Sequence, residues 1–122
     1  MVTADDFRRI ALGMSGAIER AHMGHPDFRV NGKIFATLHA DDKHGMVKLA
    51  PDEQREFVGA HPEAFAPENG AWGRQGCTRV RLAEVDEETL GEAMTLAWQN
   101  HSTARATRPS KSRKTAPRRR KG

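Results

Sequence analysis

His22 and His25 stand three residues apart, with Asp27 just beyond and His39 and His44 further on. Imidazole and carboxylate together are a common ligand set for zinc. The spacing argues against a metal here. Gly24 and Pro26 put the pair in a turn instead of on one helix face, and no second tight pair completes a ligand set. Hydrogen bonding to the backbone is the expected role, and neither a metal nor a cofactor is expected. Cys77 has no base near it in sequence, and its place ahead of an alternating strand suits a small buried thiol. Carboxylates gather at Asp5-Asp6, Asp52-Glu53 and Glu87-Glu88, where helix first turns favour acid. "GAWGRQG" (70–76) lacks the spacing of a phosphate-binding P-loop. No catalytic constellation emerges, and the chain is expected not to be an enzyme.

Cations give the stronger signal. Arg29 and Lys33 flank the Asn31-Gly32 turn, and a basic hairpin tip can lie along phosphates. The plainer reading makes Lys33 a solvated edge charge and pairs Arg29 with Asp27. Arg79 and Arg81 share one face of a strand, beside Lys48 if the strands align; together they would make a basic stripe. The plainer reading there is a solvated face balanced by nearby acids. Trp72 and Arg74 lie in a glycine-rich loop. Trp72 could stack on a base or partner, although the commoner use of such a residue is as a lid tucked under its loop, with Arg74 over it. The densest set is Arg105, Arg108, Lys111, Arg113, Lys114, Arg118, Arg119, Arg120 and Lys121, with no acid among them.

At 122 residues the chain fits one compact domain. Its net charge of +4 conceals an asymmetry. Residues 1–101 hold 11 of the 20 Lys and Arg and all 16 Asp and Glu, a net of −5; residues 102–122 hold the other nine cations. An acidic body therefore carries a cationic arm, and the two are separate functional units. A single cysteine excludes an intramolecular disulfide. No apolar leader or membrane-length run is present, so a cytoplasmic setting is expected, with nucleoid association within reach of the arm.

These residues need elements to hold them. Thr3 caps a helix in which Phe7, Ile10, Ala11 and Met14 form one face, ended by Gly13 and Gly16. Residues 17–22 read as a weak strand. Asn-Gly between apolar runs predicts a two-residue type I′ hairpin pairing Val30 with Lys33, Arg29 with Ile34 and Phe28 with Phe35. Phe28, Val30 and Phe35 would then share one face, and Ile34, Ala36 and Leu38 the other with Arg29. "ADDKHG" is a polar turn and residues 46–50 a third strand. Pro51 opens a helix running to about His61. Residues 62–76 read as irregular, apart from a short strand at Ala71-Trp72. "TRVRL" alternates, with Thr78, Val80 and Leu82 on one face. Asp86 caps a last helix whose stripe is Leu90, Ala93, Met94, Ala97 and Trp98. The order predicts a single small α+β domain over residues 1–101, with a mainly antiparallel sheet and N-terminal, middle and C-terminal helices. Residues 102–122 are too polar to fold alone and are expected to be a disordered basic tail.

"GHPDFRVNGKIFATL" (24–38), "VKLAPDEQ" (47–54), "AFAPENGAWGRQG" (64–76) and "LAWQNH" (96–101), in that order and spacing, resemble the MmcQ/YjbR family over roughly residues 3–101. The resemblance implies a CyaY-like, or double-wing, α+β domain. The family's description as DNA-binding rests on likeness to a double-wing transcription-factor domain, an analogy of fold. Cys77 departs from the family's usual aromatic, and the tail lies outside its pattern. The expectation is a non-enzymatic DNA-binding protein. Its arm makes sequence-independent phosphate contacts, with Arg29, Lys33, Arg79 and Arg81 as secondary contacts. Two alternatives are a protein-interaction module with an acidic or basic partner, and a small-ligand binder or enzyme using the region of His25, Asp27, Trp72 and Arg74.

Overall fold

The computed structural model describes residues 2–22 and 25–102. The cationic arm, from residue 103 on, lies outside the described residues. The elements are α1 (Ala4–Leu12), β1 (Ile18–His22), β2 (His25–Val30), β3 (Lys33–Leu38), β4 (His44–Lys48), α2 (Pro51–Ala60), β5 (Phe65–Pro67), α3 (Gly70–Arg74), β6 (Cys77–Arg81), a 3₁₀ turn (Leu82–Glu84) and α4 (Glu87–Ser102).

Local chemistry sets the ends. The Thr3 hydroxyl accepts the Asp6 N–H at 3.1 Å and the Asp6 carboxylate accepts the Thr3 N–H at 3.0 Å, a complete capping box. Pro51 opens α2, and Glu53 accepts the N–H of Ala50 at 2.8 Å. Asp86 accepts the N–H of Thr89 at 2.6 Å and starts α4.

The six strands form one antiparallel sheet in the order β1-β2-β3-β4-β6-β5. Phe28, Ala36, Leu38, Val47, Val80 and Phe65 are buried on one face. Against that face lie Phe7 of α1 and Leu90, Ala93, Met94 and Ala97 of α4, all fully buried. Gly45 sits directly beneath Phe7: a Cβ there would come within 2.5 Å of the ring. Phe57 of α2 stacks on Phe65 with ring centroids 5.2 Å apart. The opposite face carries Asp27, Thr37, Met46 and Arg79 in one cross-strand row, and no long helix lies over it.

Most predicted elements are present, with informative differences. Asn31 (φ 55°) and Gly32 (φ 76°) have the two positive φ values of a type I′ turn. Val30 pairs with Lys33 and Arg29 with Ile34 as expected, but Phe28 pairs with Ala36, not Phe35. A β-bulge absorbs Phe35, so Ala36 and Leu38 join Phe28 on the covered face; a single extra residue exchanges the faces of everything after it. The strand expected at Ala71-Trp72 is instead helix α3, and the strand of that region is Phe65–Pro67. Helix α4 continues through Ser102.

Candidate nucleic-acid interface

The β2–β3 hairpin tip and the end of α4 meet. Beyond shaping the turn, Asn31 donates its side-chain amide to the Ser102 carbonyl at 2.6 Å and to the His101 carbonyl at 3.3 Å. These are carbonyls at a helix C-terminus, which lack partners within the helix. The same helix end makes a second tie: the Asn100 amide donates to Glu53 of α2 at 2.9 Å. The last turn of α4 is thus tied to two elements, and the chain leaves toward the cationic arm from a fixed point. Lys33 is exposed at the hairpin tip, directly after Gly32. His101 donates Nδ1–H to the Ala97 carbonyl at 2.8 Å. Burial pushes its pKa down, and the positive charges of Lys48 and Lys33 add to the lowering.

The remaining sequence candidates separate. Asp27 is buried, and both its oxygens accept from Arg29, Nε at 2.8 Å and Nη2 at 3.2 Å. That fork raises the Arg29 pKa further and leaves little of its charge for a phosphate. Arg79 Nε lies 3.3 Å from Glu68 Oε1, too misaligned to be a hydrogen bond, and His39 Nε2 lies 3.1 Å from Glu68 Oε2. Arg79, Arg81 and Lys48 lie on the same open face but are not cross-strand partners: Met46 stands opposite Arg79, His44 opposite Arg81 and Cys77 opposite Lys48. Arg81 instead lines a broad cleft of about 960 Å³ with Lys43 and Arg8, where Asp5 and Asp42 offset the cations. Arg8 is itself held by Asp5 and Glu19 at 3.0 Å each.

Trp72 is not a lid over the core. It is 65% exposed, because α3 turns the indole outward. Its neighbours define a pocket of about 250 Å³ lined by Thr37, Met46, Glu68, Asn69 and Cys77. His25, Asp27, Arg29 and Arg74 do not line it, although Asp27 pairs across the sheet with Thr37, which does. His25 is exposed at the start of β2, and Arg74 is exposed at the end of α3. Cys77 is buried; burial raises its pKa, Lys48 opposes the rise and Glu68 adds to it. Among the described residues, no three His, Cys, Asp or Glu are grouped so that they could hold a metal ion.

The roles of Asn31 as a helix tether, of Glu68 as a bridge between His39 and Arg79, and of Lys48 opposite Cys77 are not readable from local pattern. Each depends on which strands become neighbours.

The family model YjbR matches residues 12–100. The chain belongs to the YjbR family. Its fold is similar to that of the Deinococcus radiodurans protein DR2400, a DUF419 domain solved by crystallography. The TM-score is 0.71 and the identity 23%, over 86% of this chain and 81% of that one. This likeness shows the α+β fold. None of the curated proteins matches the sequence. Among the described residues, no helix is long and apolar enough to cross a membrane.

Proposed function

We propose that this YjbR protein binds DNA without catalysing a reaction on it, and that its C-terminal arm makes largely sequence-independent contacts to phosphates. The observation that carries this is the segregation of charge. Nine cations and no acid follow residue 102, on a body of net −5. Clustered Lys and Arg neutralise phosphates and release condensed counterions whatever the base sequence. The architecture supports the same division of labour. Arg29 and Arg79 are engaged by Asp27 and Glu68, whereas Lys33 makes no ion pair among the described residues and lies at the hairpin tip that holds Ser102. The folded body is then an anchor, and the hairpin tip adds Lys33 at the arm's root.

The test is a duplex titration at several salt concentrations, with the full chain and with residues 1–102. An arm engaging five or six phosphates gives a slope near −5 in log K against log salt. Truncation removes most of that slope and leaves the melting temperature nearly unchanged. Equal duplex affinity for the truncated body would transfer recognition to the folded wings. Absence of binding by either form at low salt would leave the acidic body as a docking surface for a basic protein.

A further inference from the structure

We propose that the pocket at Trp72 holds one unpaired nucleobase, so that the protein takes single-stranded DNA in preference to duplex. This rests on the reading of the arm as a phosphate-binding segment and names the substrate that segment would present.

The first observation is that Trp72 is exposed on a rigid support. A large apolar side chain left 65% in water lowers the hydrophobic stabilisation of the fold, and a loose loop would let it collapse onto the sheet. The segment beneath it is braced against that movement. The buried Gln54 side chain donates to the carbonyls of Gly73, at 2.9 Å, and Cys77, at 3.0 Å. The Glu68 N–H donates to the Cys77 carbonyl at 2.9 Å. Gly73 lies so close to the Glu68 carbonyl that an added Cβ would approach within 1.8 Å of its oxygen. Gly76, at φ +109°, is pressed as closely on the Leu49 carbonyl. Helix α3 is thus clamped between the end of β4, the start of β6 and α2, with the indole held outward.

The second observation is the composition of the pocket. Met46, Thr37 and Cys77 with the indole give a mainly apolar slot of about 250 Å³. Slots for drug-sized ligands run to roughly 300–1,000 Å³, so this one suits a single ring system. Asn69 is exposed at its edge, and its side chain makes no cap bond to α3. A carboxamide offers both a donor and an acceptor, the pattern that base edges present. Glu68 alone would repel a phosphodiester, and the Arg79 guanidinium, 3.3 Å from its Oε1, offsets that charge. An aromatic face supplies affinity for any base, because every base has a π-face.

The third observation is position. Cys77, in the pocket, pairs with Lys48, whose neighbour Val47 pairs with Ala36. Cys77 therefore lies toward the end of the sheet that carries the Val30–Lys33 tip, where Asn31 holds the end of α4. A strand with a phosphate against Lys48, which pairs with Cys77, can place a neighbouring base on Trp72. In a duplex the bases are stacked and paired, so the same base would first have to be taken out.

The experiment compares a twelve-residue oligo-dT with a twelve-base-pair duplex on the full chain at low salt, followed by indole fluorescence and by anisotropy of labelled DNA. Oligo-dT quenches the emission of the wild type, and Trp72→Ala abolishes that component. The same substitution weakens oligo-dT binding by roughly 5- to 150-fold, the range of one stacked base, and leaves duplex binding unchanged. Trp72→Phe keeps part of the affinity. Removing an exposed side chain leaves the core intact, so misfolding does not confuse the result. If the duplex binds but oligo-dT neither quenches nor responds to Trp72→Ala, the pocket inference is overturned and the phosphate reading stands. Quenching by oligo-dT without duplex binding upholds the pocket and removes the arm from its place in duplex recognition. No binding of either DNA overturns both.

Discussion

The two faces of the sheet are built from the same strands and obey opposite rules. On the helix-covered face, Phe28, Phe35, Val47 and Val80 are fully buried, and nothing polar but Thr78 is among them; its hydroxyl donates to the Gly76 carbonyl at 2.8 Å. On the other face, Met46 and Thr37 remain partly open, charge is satisfied in pairs, and Trp72 is left to solvent at the rim. The covered face selects the fold by apolar burial. The open face is where side chains can be chosen for something other than stability. The pairing there also explains why basic residues on a strand are weak evidence of an interface: Arg29 and Arg79 each have an acid within reach from the same surface.

The largest expected effect tests the covered face. Phe28→Ala removes a ring that is wholly buried against Phe7, with centroids 5.9 Å apart. It should destabilise the protein by about 3–5 kcal/mol in urea unfolding. Met46→Ala on the open face should cost under about 1.5 kcal/mol, because that site can relax into solvent. Comparable losses at the two sites would mean that the open face is covered in solution.

That contrast was largely legible in the sequence for one face and poorly for the other. Helical stripes and the alternation of Thr78, Val80 and Leu82 report burial directly, since burial repeats with the period of the element. Asn31-Gly32 reported its turn because few residue pairs accept two positive φ values. The bulge at Phe28/Arg29 left no mark, since the run from Ile34 to Leu38 is apolar at nearly every position and either register buries bulk. For Trp72, residue type alone cannot tell an indole turned in, as a lid, from one turned out. The decision lies in Gln54, Gly73 and Gly76, residues whose bracing role needs the tertiary neighbours. The links among Asn31, His101 and Ser102 span about seventy positions and have no local signature.

The next effect concerns paired charge. Arg29→Met leaves the Asp27 carboxylate buried without its fork and should cost about 2–3 kcal/mol, below the range for fully enclosed pairs because Arg29 is partly exposed. Replacing both, Asp27→Leu with Arg29→Met, should recover most of the loss, since no charge then remains to be desolvated. A double-mutant cycle showing no coupling would mean that the pair is only a surface contact. DNA affinity should change little in Arg29→Met, because its charge is already committed to Asp27.

At the hairpin tip, Gly32→Val should cost about 1–2 kcal/mol through backbone strain alone. Gly32 has φ +76° and open space where a Cβ would go, so no clash contributes. An unchanged melting temperature would mean that the turn relaxes out of its type I′ shape. The same variant should loosen the end of α4, because Asn31 holds its last carbonyls, and faster amide exchange in the final turn would register it.

The smallest effect separates the two ends of the molecule by pH. At the β3–β4 turn, Asp41 accepts the backbone N–H of Lys43 and the ring and backbone N–H of His44, which draw its pKa down to about 2. A carboxylate with a lowered folded pKa stabilises the protein above its unfolded value near 3.8, and that stability is lost as pH falls toward 2. His101, at the other end, is a base with a lowered pKa. Between its folded value and the ordinary 6.5, the unfolded chain binds a proton that the folded chain does not. Stability from neutral His101 is therefore complete above about 6.5 and declines as pH falls through the folded value. The two losses occupy different windows. His101→Gln should flatten the curve just below pH 6.5 while leaving the decline below pH 4, and Asp41→Ala should do the reverse. Equal flattening of both windows by either substitution would show that the two ends unfold with a shared titration, contrary to the separation of their partners.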